Sequence, residues 1–208
     1  EEESKISIAY RALTNIPDAM VGWYPEAVRQ GRKISNSWSP DIIFSTAPPY
    51  TGFLVAHKLA KIIDVPWVAD YRDLWIDETY ESYDEFIKIR KYIDIFAEKR
   101  ILSNCSGLVT VTKTWSKQLK EKSEIPVEFV MNGYDPDDFN SINPEILYPD
   151  HLTILYAGEI YGGKRDPSPL FKALGMLGDQ SKTIKTLFYT QDGMDDFNEK
   201  QKELIDTY

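Results

Sequence analysis

The chain is predicted to be α/β, with Rossmann-like parallel sheets carrying helices on both faces. Two observations carry that expectation. Short apolar runs recur, bounded by proline, glycine or asparagine, and segments with apolar residues at helical spacing separate them. Strands alternating with helices of this length indicate βαβ units and a parallel sheet. A third observation divides the chain. Residues 135–150 form the longest stretch without pattern and are rich in Pro, Asp and Asn, as a domain junction would be.

Residues 1–39 are the least regular, although Ile6 and Ile8 alternate with polar neighbours and 25–34 reads as a short helix with Pro25 at its start. Asp41–Ser45, between Pro40 and Pro48-Pro49, reads as a buried strand. Thr51 is placed to cap a helix whose Phe53, Leu54, Ala56, Leu59, Ala60 and Ile63 recur at helical spacing. Trp67–Ala69 is a second strand after Pro66, and a long helix is expected over 83–102, with Phe86, Ile89, Ile93, Phe96 and Ala97 on one face. Gly107–Val111 is a third strand. Thr112 caps a helix over 115–122, and Val127–Met131 is a fourth strand ended by the turn signal Asn132-Gly133. Leu152–Tyr156, a helix over 169–178, Thr186–Tyr189 and a polar helix over 195–206 complete the order. The expected domains are 1–140 and 150–208.

Composition narrows the function. The formal charge of −9 lacks the clustered excess of Lys and Arg that a nucleic-acid footprint needs, so no nucleic-acid partner is expected. The single cysteine, Cys105, forms no internal disulfide and reads as a small buried thiol in a reducing compartment. Two histidines far apart, with one cysteine, make a zinc site improbable; His57, in mid-helix, reads as structural. No run approaches the roughly 20 apolar residues of a membrane span, and the acidic start is unlike a signal peptide. The expectation is a soluble, cytoplasmic protein. Lys88, Arg90, Lys91, Lys99 and Arg100 make the long helix basic, as a solvated face or as a peripheral contact with an anionic membrane.

Ligands of open α/β sheets bind beyond the carboxyl ends of the strands. There the chain places Thr46 to Pro49, Asp70 to Trp75, Thr112-Lys113, Asn132 to Asp135 and Gly158 to Asp166. In the last segment glycines follow a strand, Lys164 and Arg165 add positive charge, and Ser168 and Pro169 suit an N-cap and a first helical residue. Together they would cradle a diphosphate, with Gly158, Lys164, Arg165 and Ser168 as its ligands. A solvated loop with two surface cations is the alternative. Asp70 and Asp73 flank Arg72, with Trp75 nearby; this reads either as a structural ion pair or as a sugar site with carboxylates for hydroxyls and an aromatic face. Either way Arg72 should be held by a carboxylate or face the site, since an unpaired buried charge is costly.

Pro40–Pro49 resembles the "PDVI.S..PP" segment of bacterial glycosyltransferases in the large family-4-like group, which have the GT-B fold. Pro66–Trp75 is similar to their "PWVADFRDLW" segment, Asn132-Gly133-Tyr134-Asp135 with Phe139 to their "NGxD…F" stretch, and Tyr156–Leu170 to the opening of their second domain. The resemblance covers roughly residues 17–190, in order. It implies two facing Rossmann-like domains with a cleft between them, the first meeting the acceptor and the second holding a nucleotide diphosphate sugar. It implies transfer with retention to a saccharide or lipid-linked acceptor, and no cofactor or metal beyond the nucleotide-sugar co-substrate. It places Gly158, Lys164 and Arg165 at the donor diphosphate, and Arg72 and Asp73 on the acceptor side, where Asp73 or Asp70 would orient the acceptor hydroxyl as candidate catalytic residues.

Two departures accompany the resemblance. Many relatives carry Arg after the glycine matching Gly158, where this chain has Glu159, so the diphosphate contact falls to Lys164 or Arg165. The family's paired-glutamate signature would lie beyond Tyr208, and the glycine-rich first strand and loop of the acceptor domain before residue 1. A two-domain enzyme at ~100–200 residues per domain would be roughly twice this length. The expectation is therefore a catalytically silent fragment of a hexosyltransferase, the alternatives being a non-catalytic regulatory or assembly module or a sugar-nucleotide epimerase of the same fold.

Overall fold

A computed structural model of the chain describes residues 14–76, 85–143, 145–146, 148–160, 165–190, 197 and 201–202, with the backbone alone for 85–89. It divides into two compact units, Glu1–Tyr134 and Asp135–Tyr208, each with its own sheet.

In the first unit a short 3-10 turn (Val21–Trp23) leads into α1 (Tyr24–Ser35), which has proline in its first turn where the missing N–H costs nothing. The unit continues through β1 (Ile43–Ala47), α2 (Thr51–Ile63), β2 (Trp67–Tyr71), α3 (Glu85–Ile101), β3 (Gly107–Thr110), α4 (Lys113–Lys122) and β4 (Val127–Phe129). The sheet order is β1-β2-β3-β4 and every pairing is parallel. Helix α2 ends at Asp64, whose φ of 56° is left-handed, a conformation Asp tolerates better than most residues; Pro66 then directly precedes β2. Thr112 caps α4, its hydroxyl accepting from the Trp115 N–H at 3.1 Å. Thr51 caps nothing. The residue before it, Tyr50, occupies the cap position, and Thr51 gives its N–H and hydroxyl to Asp18, each at 2.8 Å.

The register sorts the sheet into unlike faces. Ala47, Trp67, Ala69, Tyr71, Leu108 and Val127 point one way and join Phe53, Ala56 and Ala60 of α2, Ile101 of α3 and Leu119 of α4 in one buried cluster. Phe53 sits 5.9 Å from Trp67 and 4.9 Å from Tyr71 between ring centroids. Full burial of such side chains contributes about 1.5–3 kcal/mol each. The other face carries Phe44, Thr46, Val68, Val109 and Glu128, and Phe44 is 58% exposed. Among the described residues, α2, α3 and α4 thus all pack on one face. Sequential parallel strands joined by crossovers of one hand return each helix to the same side.

Gly31 allows α1 to approach α2, since a Cβ there would lie 2.5 Å from Leu59 Cδ1. The expected apolar face of α3 is rotated. Ile93 and Ala97 are half-buried, but Phe96 is 70% exposed, and Phe86 and Ile89 lie outside the described side chains.

The second unit pairs β5 (Leu152–Ala157) with β6 (Ile184–Tyr189) in parallel, with α5 (Ser168–Leu177) between them in sequence. Its core joins Ile160, Phe171 and Phe197, with Tyr156 and Phe188 packed against them. The strand expected near Ile6 and most of the helix expected over 195–206 lie outside the described residues.

Candidate functional site

In the first unit, four polar side chains meet where β1, β2 and β4 end. Arg72 follows β2 directly, and its Nε donates to Asp70 Oδ2 at 2.8 Å. The Thr46 hydroxyl donates to the same oxygen at 3.0 Å. Arg72 also reaches forward from Nη1 to the side-chain oxygen of Asn132, just beyond β4. The Arg72 backbone N–H donates to Ala47 O at 2.9 Å, which ties the loop to the end of β1. Parallel pairing makes this convergence possible, because Thr46 and Asp70 are register partners.

Exposure separates the roles open to these groups. Asp70 is 1% exposed and its Oδ1 has no hydrogen-bond partner, whereas the Arg72 side chain is 44% exposed. Asp70 therefore reaches the surface through the groups it holds, Arg72 and Thr46. Asp73 is exposed, and its backbone carbonyl accepts from the Tyr50 hydroxyl at 3.2 Å. Trp75, the aromatic face of the sugar-site alternative, is 4% exposed and stacked on Tyr50 at 4.9 Å. Its apolar area is already used by the core.

The loop after β5 in the second unit brings Gly158 and Arg165 together. Gly158 has a φ of +149°, and a Cβ there would lie 3.6 Å from Arg165 Nη1. Its N–H extends the ladder to Tyr189 O at 3.0 Å. Lys164 lies outside the described residues. Ser168 is not the N-cap expected from the sequence, because Pro167 takes that position and Ser168 is the first residue of α5. Both Ser168 donors go to Asp166 Oδ1, the N–H at 2.9 Å and the hydroxyl at 2.6 Å. Gln201, 1% exposed, donates to the same oxygen at 2.9 Å. These bonds, the Ser168 hydroxyl first and Gln201 next, hold the Asp166 carboxyl down at about 2. An internal carboxylate thus occupies the start of α5, where a helix favours negative charge.

Sequence reasoning did not single out Asp166 or Gln201. The signal for Asp166 was present, since Asp two residues before a serine at a helix start is placed to accept from backbone. His57 is structural, its Nδ1 bonded to Ile101 O at 2.6 Å, and burial lowers its pKa, with Lys61 and Arg100 adding to the effect. The Cys105 thiol lies 3.1 Å from Gly107 O, and burial raises its pKa. Among the described residues, no group of three His, Cys, Asp or Glu side chains could hold a metal, and no helix is long and apolar enough to cross a membrane.

No protein-family model matches the chain, and no relative is found among the curated proteins. The fold is similar to that of CalG4, the calicheamicin glycosyltransferase, with a TM-score of 0.49 and 11% identity. The match covers 90% of this chain and 49% of that one, so this chain spans about half the length of that protein.

Proposed function

We propose that the chain belongs to a GT-B glycosyltransferase that moves a sugar from a nucleotide diphosphate sugar to a saccharide or lipid-linked acceptor, with retention at the anomeric carbon. The observation that carries this reading is the bonding of Thr46, Asp70, Arg72 and Asn132. They come from three segments that resemble glycosyltransferase motifs, Thr46 from the first, Asp70 and Arg72 from the second and Asn132 from the third, and they meet at the carboxyl ends of parallel strands, where α/β proteins bind ligands.

In this reading the first unit serves the acceptor. Arg72, oriented by Asp70 and Asn132, presents an exposed guanidinium to the substrate, and Asp73 is the exposed carboxylate beside it. In the second unit, Arg165 beside Gly158, with Lys164, would stabilise charge on the departing diphosphate. The capture of Ser168 by Asp166 favours a second reading, a non-catalytic module of the same fold, because it places a carboxylate where the diphosphate would sit. Mass spectrometry of the full-length gene product incubated with a panel of sugar nucleotides separates the two. Transfer or hydrolysis that falls on the order of a hundredfold in Arg72→Ala supports the enzyme, since small misplacements cost that much. Silence with every donor supports the module.

A further inference from the structure

Helix α3 is built inside out. Its inward side carries Asp94, 2% exposed, which accepts from Arg90 Nε at 2.7 Å, and Glu98, which accepts from the buried Tyr71 hydroxyl at 2.8 Å. Its outward side carries Tyr92 at 75% exposure, Phe96 at 70% and Ile95 at 42%. At 100° per residue these three fall within one half of the helix, interleaved with Lys91, Lys99 and Arg100. Among residues 90–101 of α3, whose side chains are described, that half contains no carboxylate, because Asp94 and Glu98 both lie on the opposite half. Next to it runs a groove of about 760 Å³ between α3 and α4, with apolar walls that include Ile95 and Leu119, and with Lys91, Lys99 and Lys122 outnumbering Glu98 and Glu124 among its charged lining residues.

Leaving two aromatics and an isoleucine in water while burying an ion pair is unfavourable on both counts, as expected of a face made to be covered. The interleaved charge selects it. A second copy meeting this face across a two-fold axis would oppose Lys91, Lys99 and Arg100 to the same three cations. A chain with a net charge of −9 keeps these cations beside rings, the composition of a helix lying in the plane of a membrane interface. Independently of any sugar-transfer activity, we propose that the outer face of α3 docks on a bilayer bearing anionic phospholipid, with Tyr92, Ile95 and Phe96 in the interface and Lys91, Lys99 and Arg100 on the headgroups.

Vesicle co-sedimentation of the 208-residue protein tests this. The protein should pellet with mixed phosphatidylglycerol–phosphatidylcholine vesicles at low salt, lose that binding at high salt and ignore phosphatidylcholine alone. Lys99→Gln and Arg100→Gln should each weaken partition about fivefold, the equivalent of ~1 kcal/mol per cation. The double variant Tyr92→Ser/Phe96→Ser should weaken it about tenfold or more, with unchanged circular dichroism because both positions are exposed. No partition into the mixed vesicles, equal partition into neutral ones, or undiminished partition of these variants overturns the proposal. A dimer in sedimentation equilibrium that Phe96→Ser dissolves also overturns it, by assigning the face to a second copy.

Discussion

Arg72 Nε and Asp70 Oδ2 are 2.8 Å apart, and the two partners differ sharply in exposure, 44% for the arginine side chain against 1% for the aspartate. The carboxylate is thus the buried partner and the guanidinium the presenting one. Thr46 is its other partner, and Oδ1 has none.

Removing the guanidinium leaves a charged acceptor out of water with one neutral hydroxyl. Arg72→Ala should therefore destabilise the protein by about 1–3 kcal/mol, read from denaturant midpoints at neutral pH. Arg72→Lys should recover only part of this, because a single ammonium cannot reproduce the fork that serves both Asp70 and Asn132. Equal midpoints for wild type and Arg72→Ala would show that the pair is dispensable for folding.

Glu98 gives a pH test. Burial raises its pKa in the folded state, against the smaller opposing effects of the Tyr71 hydroxyl and Lys122. A raised carboxyl binds its proton more tightly when folded, so stability falls as pH rises from the ordinary glutamate value through the folded one, and levels off above it. The slope for one group is at most about 1.4 kcal/mol per pH unit. Glu98→Gln retains an acceptor for Tyr71 and removes this slope. Unfolding midpoints for wild type and variant should converge at acid pH and separate in favour of the variant as pH rises.

The sidedness of the first sheet predicts a contrast between two phenylalanines. Phe53 is fully buried between Trp67 and Tyr71, so Phe53→Ala should cost about 3–5 kcal/mol. Phe44 lies on the opposite face and is 58% exposed, so Phe44→Ser should cost less than about 0.5 kcal/mol. Comparable losses would mean that the Phe44 face is covered as well as the Phe53 face.

The order of elements was legible because proline and glycine punctuate it, and Thr112 lies where an N-cap belongs. Strand ends were less so. β1 runs two residues beyond the apolar run, through Thr46 and Ala47, because a parallel ladder needs only backbone and pairs these with Asp70 and Tyr71. Within the site, the Asp70–Arg72 pair lies two residues apart and could be read from the chain. Asn132, sixty residues from Arg72, joins them only through the sheet. Trp75 misled because an aromatic beside carboxylates looks like a sugar platform until its burial is known. α3 misled because its apolar residues are split between the core and the outer face, so their spacing alone does not orient it.

Donor binding by these 208 residues should be weak. Ser168 gives both its donors to Asp166, and Gln201 reinforces the carboxylate, so a diphosphate at the start of α5 would meet negative charge. Cations near it include Arg165, which is exposed, Lys172 of α5, which acts on Asp166, and Lys164 beside Arg165 in sequence. Exposed charge contacts contribute only ~0–1 kcal/mol each, far short of the ~8 kcal/mol of micromolar affinity. Calorimetric titration with UDP- and GDP-sugars should therefore give dissociation constants weaker than micromolar, and a hydrolysis assay no turnover. Asp166→Asn keeps an acceptor for Ser168 but removes the charge, and should tighten whatever binding is seen. Micromolar affinity in the unaltered chain, or weaker binding in Asp166→Asn, would mean that a diphosphate is gripped by groups other than Arg165, Lys164, Lys172 and the start of α5.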